Sequence, residues 1–270
     1  MDKEFTLTRL RPSLWQIQNS VGNCASLVIG EKKALLFDTM TGLGDLLAQV
    51  RALTDLPLTV VNSHGHFDHV GGNWQFEEVF LNRLDWPLME RNAHFCPEIQ
   101  ASMGRDLSHA MDSFRRREIL RDLEEGMVFD LGGITLEALS LPGHTAGSMG
   151  LLLREERILL VGDAISPEMC LFFPESLGLD VYLQTLHRIM DLHLEGFVQG
   201  HFSRLFPPRV LPKFEQCAHL PEKGVGMAYT NSMVHIGKGR VHILSVRDAD
   251  VGGIICIITK EPGWDPEGLA

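Results

Sequence analysis

Residues 63–69 read Ser63-His64-Gly65-His66-Phe67-Asp68-His69, which puts three histidines and one carboxylate within six positions, just after the apolar run Leu58-Thr59-Val60-Val61. Imidazole and carboxylate donors suit zinc, iron and related first-row metals. In extended chain His64 and His66 point to the same side and can grip one ion together. Asp68 and His69 follow a bend and face another direction. Four donors splayed in this way serve two neighbouring metals better than one. Gly65, Gly71 and Gly72 lower the steric bulk where the backbone must turn sharply. Three later sites carry more donors: Pro142-Gly143-His144-Thr145, Val161-Gly162-Asp163 and Gln199-Gly200-His201. In each, a glycine and then a metal-competent residue stand at the end of an apolar run.

The elements that must position these residues are legible in the apolar pattern. Residues 5–38 read as strands: 5–10 alternates, 14–17 follows a break at Pro12, and 24–29 and 34–37 flank a hairpin turn at 30–33. Leu43, Leu46, Leu47, Val50 and Leu53 recur at helical spacing, and strand 58–62 then delivers the histidine loop. Asp38 ends a strand beside Thr39. It is either a cap or a carboxylate that orients a metal-bound histidine. Residues 79–81 form a short strand. Residues 84–126 read as a helical insertion, with an amphipathic helix over 106–123 and methionines suited to a mobile lid. His94 and His109 are expected to be surface or packing residues. Strands return at 127–129, 134–139, 149–153 and 157–161; then come a helix over 180–194, a strand at 197–198 and a helix over 208–218. Residues 165–178 form an apolar loop, in which Met169, Phe172 and Phe173 are candidates for a substrate-pocket wall and Cys170 for packing. The tail alternates like strands, with a hairpin turn at Gly237-Lys238-Gly239. His235 and His242 there have no expected chemical role. The apolar run 254–258 is expected to be buried on the sheet or at the interface of a homodimer.

Composition narrows the class. Apolar residues make up 44% of the 270, enough for a sizeable core. The net charge of −11 disfavours nucleic acid as the main partner. No apolar run is long enough to span a membrane. The charged start, Met1-Asp2-Lys3-Glu4-Phe5, lacks the apolar core of a signal peptide, and the five scattered cysteines form no C-x-x-C. A cytoplasmic location with free thiols is therefore expected.

H-x-H-x-D-H, then P-G-H-T, then G-D, then G-H, in this order, resembles the metallo-β-lactamase fold superfamily of hydrolases over roughly residues 5–210. The resemblance implies an α+β fold: a four-layer αββα sandwich with metals at one edge between the sheets. Residues 1–220 would form that domain, with the insertion at about 84–126, and 221–270 a β-rich extension packed on it. Carried over by position, His64, His66 and His144 would hold a first metal. Asp68, His69 and His201 would hold a second, and Asp163 would bridge both. Five histidines and two carboxylates suffice for two sites that keep positions open for water and substrate. No thiolate falls among them, so two zinc ions are expected first, with iron or manganese as alternatives.

The bridging Asp163 resembles the glyoxalase II, lactonase and phosphodiesterase branches rather than the true β-lactamases. Ser166 stands where lactonases of the superfamily carry a tyrosine, and the strand-like tail differs from the helical domain of glyoxalase II. The expected function is hydrolysis of an ester, thioester or lactone bond of a small molecule by a hydroxide bridging a dinuclear centre. Asp68 would orient that hydroxide and pass its proton to the leaving group. The alternatives are persulfide oxidation at a single iron, or phosphodiester hydrolysis.

Overall fold

The computed structural model describes residues 4–221, 226–230, 238–245 and 254–260. Its first sheet takes seven strands in chain order: β1 (Phe5–Arg9), β2 (Leu14–Asn19), β3 (Cys24–Ile29), β4 (Ala34–Phe37), β5 (Leu58–Val61), β6 (Val79–Leu81) and β7 (Leu120–Asp122). Short turns join the first four, which are antiparallel. From β4 onward the strands are parallel, because helix-bearing crossovers join them. The first crossover holds α1 (Leu46–Arg51), begun by the Asp45 side chain on the Ala48 amide. The next holds α2 (Phe67–Val70), and the last holds α3 (Trp86–Met103) and α4 (Ser108–Arg115).

The second half runs β8 (Val128–Asp130), β9 (Thr135–Ser140), β10 (Met149–Leu153), β11 (Ile158–Gly162), β12 (Glu168–Leu171), α5 (Leu179–Asp191), β13 (Gly196–Gln199), α6 (Leu211–Ala218), β14 (Met227–Thr230), β15 (Lys238–Ser245) and β16 (Ile254–Lys260). The second sheet has the order β13-β11-β10-β9-β8, and a third has the order β12-β16-β15-β14.

The near-continuous apolar strands follow from burial on both faces. Val28, Leu35 and Val61 of the first sheet meet Leu136, Leu151, Leu160 and Val198 of the second between the two sheets. Their neighbours Leu27, Leu36 and Val60 turn outward against Met89, Ile99 and Phe114 of α3 and α4. On the far side, Leu159 and Phe197 meet Leu186 and Ile189 of α5 and Phe214 of α6. Helices, sheet, sheet and helices make the four-layer αββα sandwich.

Three expectations change. The helix expected over 106–123 ends at Arg115, and β7 pairs in parallel with β6. Along β7 Leu120 is buried, Arg121 exposed and Asp122 half-buried, an alternation of period two. The helical segment is thus a crossover between neighbouring strands. Met89 within it is fully buried in the outer core. Second, residues 165–178 are not wholly loop, because β12 pairs in parallel with β16. Third, the helix expected from Leu43 starts only at Leu46, where Asp45 caps it. The expected tail hairpin falls partly outside the described residues, and His235 lies wholly outside them. Among those described, β15 pairs antiparallel with both β14 and β16. Ile255 and Ile257 of β16 are buried against the core that includes α6. No helix among the described residues is long and apolar enough to cross a membrane.

Candidate metal centre

Strand direction brings the donors to one edge of the sandwich. β4 and β5 are parallel, so Asp38 and the 63–66 loop leave the first sheet at the same end. β3 runs antiparallel to β4, so Asn23, which precedes it, is there too. In the second sheet β9 and β11 share a direction through the antiparallel β10, and β13 is parallel to β11. The loops bearing His144, Asp163 and His201 therefore emerge together. A backbone hydrogen bond from the Met149 amide to the Ser63 carbonyl, 2.8 Å, ties the two edges.

Three imidazoles converge first. His66 Nδ1 lies 3.0 Å from His64 Nε2 and 2.9 Å from His144 Nε2. Nearby, Asp68 Oδ2 is 3.8 Å from His69 Nε2 and 3.7 Å from His201 Nε2. Asp163 stands between the groups. Its Oδ2 is 2.9 Å from His201 Nε2 and 3.8 Å from His144 Nε2, and its Oδ1 is 3.5 Å from His69 Nε2. The seven residues form three overlapping donor groups: His64–His66–His144, His64–His69–Asp163 and Asp68–His69–His201, each with ligand atoms within 4.8 Å of one another.

This donor set fits divalent ions. Nitrogens bound tetrahedrally to one zinc sit about 3.3 Å apart, close to the spacing of the first three. His69 Nε2 and Asp163 Oδ1 are buried without a hydrogen-bond partner, a costly state that a cation between them relieves. The outward ring nitrogens are already engaged, which turns the other nitrogen of each ring to the centre. Asp38 Oδ2 accepts from His69 Nδ1 at 2.9 Å, Glu175 Oε1 from His66 Nε2 at 2.6 Å, and the Cys170 carbonyl from His144 Nδ1 at 2.8 Å. Ser63 Oγ is 2.9 Å from His64 Nδ1.

Electrostatics divides the centre. Burial, reinforced by the neighbouring imidazoles, holds His64 well below its ordinary pKa, and burial pushes His144 down to about 4. Both are neutral donors at pH 7. For His69, burial acts in the same direction, but Asp163, Asp38 and Asp68 outweigh it and raise the pKa well above normal. His201 is raised in the same way, chiefly by Asp163. Burial opposes ionisation of Asp163, yet His201 and His69 hold its carboxyl well below the usual range. The carboxylates thus stand on the Asp68–Asp163 side and draw positive charge onto His69 and His201.

Tight backbone approach explains Gly65, Gly71 and Gly72 better than turning does, whereas Gly143 takes a φ of +149° that favours glycine. Gly71 has an ordinary helical φ of −60°, but a Cβ there would lie 2.4 Å from the Thr41 backbone. A Cβ on Gly200 would lie 2.6 Å from His69 Cε1 and 2.7 Å from Asp163 Oδ1.

The expected pocket wall is corrected in part. Strand alternation in β12 buries Met169 and Leu171 in the α5–α6 core, so Met169 does not face the centre. Phe172 is fully buried and stacks on Phe173 at 4.3 Å. Phe173 reaches the histidines, with ring centroids 4.9 Å from His66 and 5.8 Å from His144. His94 is exposed, and His109, also exposed, stacks on Trp74.

Sequence reasoning missed four supporting residues. Asn23 Nδ2 is 3.0 Å from Asp68 Oδ2 and 3.3 Å from His201 Nδ1. Buried Asp85 accepts from the Gly65 and Gly147 amides and the Thr145 hydroxyl, which cross-links the loops of His64 and His144. Glu175 and its partner Arg91, 2.5 Å apart, back His66. Asn23, Asp85 and Arg91 sit in polar stretches that read as turns or a solvated helix face. Glu175 is one of two carboxylates, with Glu168, in the largely apolar 165–178 run, and that was the one available signal.

Comparison with known proteins agrees with this geometry. The family model described as "Metallo-beta-lactamase superfamily" matches residues 19–202. An acyl-coenzyme A thioesterase MBLAC2 of Gallus gallus is 31% identical over 205 residues, 67% of this chain and 74% of that protein. A hydroxyacylglutathione hydrolase GloC of Haemophilus influenzae is 29% identical over 144 residues, 53% of this chain and 66% of that one. In fold, a beta-lactamase domain protein from Burkholderia ambifaria superposes with a TM-score of 0.62 at 18% identity, covering 82% of this chain and 81% of that one. An edge-on cluster of histidines and aspartates, set between the sheets of an αββα sandwich and matched by the family model along the same segment, makes this chain a member of the metallo-beta-lactamase superfamily.

Proposed function

We propose that the chain is a metal-dependent hydrolase that cleaves a thioester bond of a small molecule. The observation that carries this reading is the pair of donor groups, His64–His66–His144 and Asp68–His69–His201, with Asp163 standing between them. The relatives narrow the bond, since the proteins named above are a thioesterase and a hydroxyacylglutathione hydrolase. His64, His66 and His144 would hold one ion, the first position. Asp68, His69 and His201 would hold another, the second position, with Asp163 shared. When bound, two such ions supply a water activated near neutral pH and polarise the scissile carbonyl.

The side chains supply the rest. Neutral His64 and His144 offer lone pairs without having to shed protons at pH 7. Asn23 fixes the Asp68 carboxylate through Oδ2. From there Asp68 takes the proton of the attacking water and returns one to the leaving atom. A thiolate, whose thiol has a pKa of about 8.5, needs that proton less than an alkoxide does. Phe173 offers an apolar surface beside His66 for the acyl group.

The test is a panel given to zinc-loaded and to iron-loaded protein: an acyl-coenzyme A, an acylglutathione, a short acyl thioester, an aryl ester, a lactone and an aryl phosphodiester. Turnover of thioesters above the other classes is expected. Turnover of the phosphodiester alone, or oxygen uptake with a persulfide by the iron form, would replace this reading with the corresponding alternative.

A further inference from the structure

The two metal positions differ in what stands behind them. Behind the second are groups from the first sheet: Asp38 after β4 holds His69, and Asn23 before β3 touches His201. Behind the first, besides Ser63 at His64, are β12 and the segment that follows it. The Cys170 carbonyl accepts from His144 Nδ1, and the Ser176 hydroxyl donates to the His144 carbonyl at 2.8 Å. Glu175 Oε1 accepts a hydrogen bond from His66 Nε2.

That segment is in turn held from two sides. Arg91 of α3 grips the free oxygen of Glu175. Lys260, the last residue of β16, donates to the carbonyls of Pro174 and Ser176 at 3.1 and 2.7 Å, bracketing Glu175. β16 also pairs with β12 from Glu168 to Leu171, and the Cys256 amide donates to the Pro167 carbonyl at 2.8 Å. The family model ends at residue 202, well before β16.

We propose that Glu175, clamped between Arg91 and Lys260, is the positioning residue of the first metal position, so that the C-terminal sheet sets the affinity of that position and leaves the second unaffected. The inference rests on the metal-centre reading given above. A carboxylate that accepts from a ligating imidazole fixes its tautomer and orientation and makes the opposite nitrogen a better donor. Here that opposite nitrogen is His66 Nδ1, the atom central to the three-histidine group. If the lysine is lost, two backbone carbonyls lose their donor and the loop is free to carry Glu175 away from His66.

The experiment is a zinc titration of the metal-free full-length chain against a chromophoric chelator, with two binding steps assigned by His144→Ala and His201→Ala. Glu175→Ala should weaken by about 10- to 100-fold the step that His144→Ala abolishes, and leave the other step unchanged. Lys260→Met should act in the same direction with smaller size, and Lys260→Arg, which keeps donors for both carbonyls, should restore the step. In the cobalt-loaded protein the exchangeable imidazole proton of His66 should vanish in Glu175→Ala while that of His69, held by Asp38, persists. Equal weakening of both steps, or two undiminished steps in Glu175→Ala, would overturn the inference and leave the metal reading standing. A wild-type chain that takes up no zinc would overturn both.

Discussion

A single carboxylate shows what residue-level chemistry decides. Asp38 accepts from the Ser63 amide at 2.7 Å, from the Ser63 hydroxyl and from His69 Nδ1 at 2.9 Å. Replacing it by Ala should cost about 10- to 100-fold in zinc affinity at the second position, measured by chelator competition. Asp68→Asn should keep the fold and lower kcat by roughly 10²–10⁴. The loss should be smaller for a thioester than for an alkyl ester, because the better leaving group relies less on the acid; equal losses would argue against proton delivery by Asp68. The cysteines are predicted to be inert. Burial raises the Cys24 thiol to about 12 and the Cys256 thiol to about 11. At pH 8 only about one Cys256 in a thousand is thiolate, so alkylation should be slow and should speed up about tenfold per pH unit below pH 11. The donors themselves were legible in sequence because histidine clusters and Gly–donor pairs are rare in ordinary loops. Asn23 and Asp85 were not, because one buried amide or carboxylate in a turn carries no mark of the distant group it will meet.

Elements set what these residues can reach. Parallel strands deliver their ends to one edge, so an apolar run followed by glycine and a donor was a sound cue for His144, Asp163 and His201. The glycines serve close packing at that edge. Gly200→Ala should push its methyl into His69 and Asp163, lower zinc content and destabilise the fold by about 1–3 kcal/mol, as overpacking typically does. Gly126→Ala, where a Cβ would meet nothing, should leave zinc content unchanged. Where the sequence misled, two periodicities overlapped. Residues 106–123 begin as a helix and end as a three-residue strand, too short to announce its own alternation. Met169 packs in the core, and apolarity alone does not tell the two faces of β12 apart.

At the scale of the whole molecule, folding assembles an edge that is unfavourable on its own. His69 Nε2 and Asp163 Oδ1 are buried without hydrogen-bond partners, and Asp68 and Asp163 stand close together around the same histidines. Metal binding should therefore be coupled to stability. At free zinc one hundred times the dissociation constant, one site adds about 2.7 kcal/mol. For a chain of this size that raises Tm by several degrees, which chelation should reverse and scanning calorimetry would register. The apolar strands gave the order of the elements, and the resemblance carried by the donor motifs implied the four-layer architecture. The way the third sheet braces the centre was not, since the contacts of Lys260 with Pro174 and Ser176 span more than eighty residues of sequence.

The most direct test of the account is the number of zinc ions held per chain after loading and exhaustive dialysis, read by elemental analysis. Two per chain are predicted for the wild type, and one for each of His144→Ala and His201→Ala. A wild type that retains a single ion, lost in one of these variants and untouched by the other, would contradict the paired centre on which the proposed chemistry depends.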